Sequence, residues 1–346
     1  YQTHVFDTDS SCAAQAEATK FHAISTHNRE AIKHQSSLIA NDGRLAGIFT
    51  YSSYPTPLSI ISELTTQYGL NGYTECSVQA CIDKALMKEK FAAHQVLSPN
   101  FHVIHESSKL ETAAKSLGFP LMVKPTQNSS GSVGVAKLKN PTELQTYLRQ
   151  TPKPNPDTPI LAETFTPGQE FTIDGFVVSD TVYVLSISEK SGQTFGDNHL
   201  ITGYLTIPHA HPNHLGELSQ KLQDTAEHAI RALGFNNSTF SVDIMVSEAK
   251  TYVLECGLLM DCSMDKVLKL AGADIFSAAC LLATNKDPTP HFRTPKKYYA
   301  TRFFYPKEAG TLKHKKNIAA PSENWAYYPL KKNDAKIIAP TGTPDI

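Results

Sequence analysis

Residues 160–176 read ILAETFTPGQEFTIDGF, two alternating apolar stretches interrupted by Thr166, Pro167 and Gly168. Alternation at period two marks half-buried strands, and Thr-Pro-Gly is turn chemistry, so the segment predicts a strand, a turn and a second strand paired as a hairpin. A chain containing it must build a sheet with one buried face. Glu163 and Glu170 flank the turn. Taken alone they read as solvated surface groups, and the rest of the chain must supply any other purpose.

The flanking pattern is strands alternating with helices. A strand in THVFDTD ends on Asp7 and Asp9, then come an alanine-rich helix, a strand in FHAIST, a helix from Arg29 to Ala40, a strand in LAGIFTY and a helix from Leu58 to Tyr68. That order predicts a parallel doubly wound sheet. The unit, residues 1–75, is small for a domain, as though a first strand lay upstream of Tyr1. Residues 77–93 carry a helical pattern, and the helix KLETAAKSLG precedes the strand GFPLMVKP. The proline-rich TPKPNPDTP reads as a surface connection, separating one lobe (76–150) from a second (151–297). The second lobe has strands at 160–165, 170–178 and 181–188, a polar region through 213, a helix from Leu215 to Leu233, and the strands FSVDIMVS and TYVLECG. Short antiparallel strands are expected in the remainder, 298–346. The fold class is therefore α/β and α+β, a truncated doubly wound N-terminal domain followed by a two-lobed domain.

A formal net charge of -1 gives no global attraction to nucleic acid or acidic lipid, so any bound anion needs a local site. The six cysteines lack CxxC pairs or histidine partners at zinc spacing and read as reduced thiols of a cytoplasmic protein. No stretch has the length of a membrane span, and the N-terminus lacks a signal-peptide pattern.

Two further segments carry chemistry. LMVKPTQNSSGSVGVAKL is a buried strand ending in Lys124, then a loop of small residues from Asn128 to Gly134, then a second strand. Small residues leave backbone N–H groups uncovered and able to close over phosphate oxygens, with the lysine supplying charge. The segment has neither a Walker GK[ST] nor a Rossmann turn. Asp243 and Glu255 lie twelve residues apart on adjacent strands. A hairpin can set the two carboxylates side by side, and a divalent cation is the usual means of keeping both ionised; an ordinary hairpin with one acid inward is the alternative.

In this order, with Asp83-Lys84 on the preceding helix, the segments resemble the ATP-grasp superfamily over residues 1 to about 310, most specifically at AETFTPGQEFT. The resemblance implies an ATP-dependent carboxylate-amine ligase acting through an acyl phosphate. It implies that Glu163 and the backbone of Phe165 and Thr166 meet adenine, that Glu170 accepts from the ribose hydroxyls, and that Lys84 and Lys124 bind phosphates. It further implies a flap containing Ser130, Gly131, Ser132 and Gly134, and Mg²⁺ (with Mn²⁺ as a substitute) held by Asp243 and Glu255. Lys190 falls where related ligases begin a loop covering the reacting groups; an exposed lysine is the competing reading. The implied partners are a small carboxylate and an amine, with no nucleic acid or membrane. Such ligases are commonly homodimers, but the sequence identifies no interface.

The stretch ECGLLMDCSMDK departs from the family pattern. Gly257 stands where the family has a metal-binding asparagine, and Leu259 where it has an arginine that grips a substrate carboxylate. Either Asp261 or Asp265 takes over, or the chain is an ATP-binding sensor with an impaired second metal site; retention of both lysines and all three acids favours the active enzyme. His199, His209, His211 and His214 read as solvated loop residues, one of which can line a substrate pocket. Tyr51, Ser52 and Ser53 form a strand-to-helix turn at a strand's carboxyl end, where substrate contacts also occur.

Overall fold

The computed structural model describes all residues except 44, 128–133, 196–197, 208–214, 260–263, 273, 294, 304, 306–309, 312, 314–335 and 338–346; side chains at 193–200, 266 and 337 also lie outside the description. The chain opens with β1 (His4–Asp7), α1 (Ala13–Glu17), β2 (Lys20–Ala23), α2 (Arg29–Asp42) and α3 (Pro55–Tyr68). β1 and β2 pair in parallel, as the alternation of strand and helix requires. LAGIFTY forms no ladder, contrary to the sequence expectation. Its Gly47 packs so closely on the Ala283 carbonyl that a Cβ there would lie 2.3 Å from the oxygen, and Ile48 joins the core by side-chain packing.

The helix expected over 77–93 is two helices, α4 (Glu75–Ile82) and α5 (Lys84–Ala93). Asp83 divides them: its extended backbone ends α4, and its carboxylate accepts from the Ala85 and Leu86 N–H groups to cap α5. Next come β3 (Phe101–Ile104), α6 (Ser107–Leu117), β4 (Leu121–Pro125), β5 (Ala136–Leu138), α7 (Pro141–Gln150) and β6 (Ile160–Thr164). These four strands form one antiparallel sheet in the order β3-β6-β4-β5. Leu121, Val123 and Ala162 on its inner face pack against Leu110 and Ala113 of α6 and Leu144 of α7.

The second sheet uses β7 (Gln169–Val178), β8 (Thr181–Phe195) and β9 (Asn198–Ile207); after α8 (Glu217–Ala232) come β10 (Thr239–Ser247) and β11 (Lys250–Gly257). The chain continues through α9 (Asp265–Leu270), α10 (Ile275–Ala283), β12 (Tyr299–Arg302), β13 (Gly310–Thr311) and β14 (Lys336–Ile337). The sheet order is β11-β10-β7-β8-β9-β12, all antiparallel, while β13 and β14 pair separately. The region read as polar beyond 188 is thus largely the β8–β9 ribbon. Thr206 Oγ1, 2.9 Å from Ser188 Oγ, lies on the sheet's polar side and needs no loop.

β6 and β7 do not pair. The hairpin expected over 160–176 is instead a crossing from the four-stranded to the six-stranded sheet, with the turn at 165–168 as the link. One face of the larger sheet, with Phe171, Ile173, Val242 and Ile244, packs on Leu222, Ala226 and Ile230 of α8 and on Met87 and Phe91 of α5. Burying each large side chain contributes about 1.5–3 kcal/mol, which fixes α5 and its lysines against this sheet. At one end of the opposite face, Phe176, Leu185 and Tyr204 pack on Leu268, Ile275 and Leu282 of α9 and α10. Elsewhere that face carries Glu170, Thr172, Ser188, Thr206 and Asp243.

Candidate active site

Alternation along β7 sends Phe171 and Ile173 to the core and Glu170, Thr172 and Asp174 to the polar face. Register brings neighbouring strands into line: Asp243 of β10 lies opposite Thr172 on one side and Glu255 of β11 on the other. The two acids therefore stand side by side, with a register shift directly after Asp243. Beside them runs a floor of buried hydroxyls. Thr172 Oγ1 and Ser241 Oγ are 3.0 Å apart, Ser188 Oγ and Thr206 Oγ1 are 2.9 Å apart, and Ser186 Oγ donates to the buried Asp174 at 3.2 Å.

Lysines neutralise the acids. Lys190 Nζ lies 2.6 Å from Asp243 Oδ2 and 2.9 Å from Glu170 Oε1, and its side chain is only 8% exposed. Lys190 is thus an inward residue of β8, not a solvent-facing lysine. Lys84 Nζ lies 2.6 Å from Glu255 Oε1. Its position follows from the Asp83 cap and from the Lys84 N–H, which donates to the Thr126 carbonyl at 2.8 Å just beyond β4. Asp243 and Glu255 keep 29% and 43% of their side-chain surface exposed.

Burial pushes the Asp243 carboxyl up to about 6, with Glu170 adding and Lys190 opposing. Burial alone would raise Glu255 as well, but Lys84, Lys124 and Lys190 outweigh it and hold the group below its ordinary value. Burial would lower Lys190; Asp243 and Glu170 reverse this and keep it charged.

A second ionic group lies where the crossing begins. Glu163, 4% exposed at its side chain, has Lys124 Nζ at 2.7 Å on one oxygen and Lys88 Nζ at 3.0 Å on the other. Burial by itself would raise Glu163, but the two lysines hold it below the usual carboxylate range. The same burial lowers Lys88 to about 8 despite Glu163. The crossing is anchored by Thr164 N–H to the Asn100 carbonyl (2.9 Å) and Phe165 N–H to the Pro120 carbonyl (3.1 Å). Lys137 Nζ stands 3.4 Å from the centre of the Phe165 ring, a cation–π contact. Thr166 is half-buried beside it.

Of the residues singled out from sequence, Lys84, Lys190, Glu170, Asp243 and Glu255 meet in one cluster; Lys124 and Glu163 form the adjoining one. Gly134, at φ 74°, packs on Pro125, where a Cβ would lie 2.8 Å from the ring. Ser130, Gly131, Ser132, Asp261, His209, His211 and His214 lie outside the described residues, as does the His199 side chain. Asp265 begins α9. Tyr51 meets the Phe276 ring at 4.5 Å, tilted by 49°, and packs against the α9–α10 core. Sequence reasoning missed Lys88. The available signal was its spacing, one helical turn after Lys84 and between Met87 and Phe91, which are core positions.

Among the described residues no group of three or more His, Cys, Asp or Glu has the geometry of a complete metal site. Two adjacent acids, one of them driven up by burial, suit a cation that takes its remaining ligands from water and phosphate, which is the habit of Mg²⁺.

Residues 90–257 match the family described as D-ala D-ala ligase C-terminus. D-alanine–D-alanine ligase B of Chromobacterium violaceum is 28% identical over 187 residues, 53% of this chain. The match spans 60% of that relative's length. Among solved structures, phosphoribosylglycinamide synthetase from Anaerococcus prevotii superposes with a TM-score of 0.73 at 19% identity, covering 97% of this chain and 84% of the other. L-amino acid ligase from Bacillus licheniformis gives 0.70 at 19%, covering 86% and 72%. N5-carboxyaminoimidazole synthetase from Staphylococcus aureus, complexed with ADP, gives 0.66 at 16%, covering 83% and 72%.

Proposed function

We propose that this chain is an ATP-grasp protein and, on that premise, an ATP-dependent ligase joining a small carboxylate to an amine through an acyl phosphate. The observation that carries the reading is the register pairing of Asp243 with Glu255, each facing a buried lysine, on the polar face of the sheet that the 165–168 crossing enters.

A carboxylate does not acylate an amine at neutral pH, because an oxide-like oxygen is a poor leaving group. Transfer of the γ-phosphoryl of ATP to the carboxylate gives an acyl phosphate and ADP. The amine then attacks the acyl carbon, phosphate departs, and the nitrogen loses its proton. Protein catalysis of such a reaction is alignment, charge neutralisation and exclusion of water. In this reading Lys84 and Lys124 take phosphate oxygens and Glu170 the ribose, with adenine at Phe165 and Thr166. Glu163, enclosed between lysines, acts on the nucleotide indirectly. Asp243 and Glu255 would hold Mg²⁺, whose positive charge would offset that of the phosphates. Lys190 compensates Asp243 and Glu170. The hydroxyl floor and Tyr51 border the acceptor site.

Gly257 and Leu259 favour a second reading, an ATP-binding sensor whose weaker metal site does not turn over. Phosphate release assayed over carboxylic acids crossed with amines, each omitted in turn, separates the two. Release that requires one acid and one amine supports the ligase; ATP binding with no pair-dependent release supports the sensor.

A further inference from the structure

Lys88 is 1% exposed. Its ammonium group is enclosed by the Glu163 carboxylate at 3.0 Å and by the Val253 carbonyl of β11, to which it donates at 3.3 Å. A lysine is rarely buried so completely, and only a paired charge makes it tolerable. Glu163 already has a closer partner, Lys124 at 2.7 Å, so one carboxylate is served by two cations. For static neutrality one would suffice.

The excess has a use if one of the cations must leave. Lys124 is the penultimate residue of β4, and its side chain is 11% exposed against 1% for Lys88. When Lys124 turns its ammonium toward a phosphate, Glu163 would be stranded as a buried, uncompensated anion unless another cation remained. We propose that Lys88 is a positioning residue, a resident counter-ion for Glu163 that frees Lys124 to bind a nucleotide phosphate. This rests on the nucleotide-binding reading given above. Without Lys88, Glu163 holds Lys124 back, and the defect falls on ligands that carry phosphate.

The test measures binding of an unhydrolysable ATP analogue with Mg²⁺, and of adenosine, by calorimetry, with thermal unfolding alongside. In Lys88→Met the analogue is expected to bind about 10²- to 10³-fold more weakly, the scale of one uncompensated buried charge, and adenosine within about threefold of the parent. Lys88→Arg should recover part of the loss. In a Glu163→Gln background, where nothing restrains Lys124, adding Lys88→Met should change analogue affinity by less than about threefold. This pair keeps the test decisive if Lys88→Met alone unfolds. Normal analogue binding by Lys88→Met, equal loss of adenosine and analogue, or a tenfold loss in the Glu163→Gln background would each overturn the counter-ion role. Failure of the parent protein to bind the analogue would overturn the nucleotide reading itself, and the proposal with it.

Discussion

Gly168 sits in the crossing between the two sheets, where its Cα abuts the main chain of β10. A Cβ built there lies 2.0 Å from the Val246 carbonyl oxygen, 2.9 Å from its carbon and 3.2 Å from Met245 Sδ. That oxygen cannot step aside, because Val246 is registered with Gln169 on one side and Thr251 on the other. Carbon and carbonyl oxygen approach no closer than about 3.3 Å, so Gly168→Ala must displace the crossing by about 1.3 Å relative to the 2.0 Å position. Overpacking of this kind costs about 1–3 kcal/mol of stability. The crossing carries Phe165 and Thr166, and β10 carries Asp243. A misplacement of about 1 Å between groups that must act together lowers activity about 10²-fold. Gly168→Ala is therefore expected to remain folded, lose about 1–3 kcal/mol in denaturant unfolding, and lose about 10²-fold in kcat/KM for ATP. Gly43→Ala, at a glycine with nothing within 4 Å of its built Cβ, is the control and should match the parent. Parental stability and parental kcat/KM in Gly168→Ala would refute the reasoning.

Because Asp243 is raised from 3.8 to about 6, the folded protein retains a proton there that the unfolded chain has released, so this group's contribution to stability falls as pH rises from about 4 to about 6. Asp243→Asn should remove that part of the slope in unfolding measured from pH 4 to 8, and in the parent Mg²⁺ affinity should weaken as pH drops below about 6. Lys190→Met leaves Asp243 and Glu170 facing each other uncompensated; a loss of about 3–5 kcal/mol is expected, partly restored by Mg²⁺, and an unchanged unfolding midpoint would contradict it. At Gly257 a Cβ meets nothing nearer than the Leu259 oxygen at 3.6 Å. Gly257→Asn should therefore stay within about 1 kcal/mol of the parent in unfolding and reach half-maximal nucleotide binding at lower Mg²⁺.

What was legible in the sequence was local. Alternation located β6, β7, β10 and β11, and their spacing allowed Asp243 and Glu255 to be neighbours without deciding between that and an ordinary hairpin with one acid inward. Which strands pair is a tertiary matter: Thr-Pro-Gly between two strands is equally compatible with a hairpin and with a crossing between sheets, and only the packing of β6 beside β4 decides. LAGIFTY has strand composition but no partner ladder, so its apolar residues pack without pairing. The start of β8 was legible, but its continuation beyond 188 and β9 were hidden because residues such as Lys190, Ser191, Thr202 and Thr206 are polar and imitate a loop. Lys88 was hidden for the same reason, since a buried lysine and an exposed one read alike until a carboxylate from a distant strand is placed beside it.

The most direct test of the central claim follows an oxygen atom. Carboxylic acids labelled with ¹⁸O in the carboxylate are supplied with amines, ATP and Mg²⁺, and the released phosphate is examined by mass spectrometry beside the Asp243→Asn/Glu255→Gln double variant. An acyl-phosphate ligase passes one carboxylate oxygen to phosphate, so labelled phosphate should appear only when a matching acid and amine are both present and should vanish in the double variant. Phosphate released without label, or label undiminished in the variant, would contradict the account.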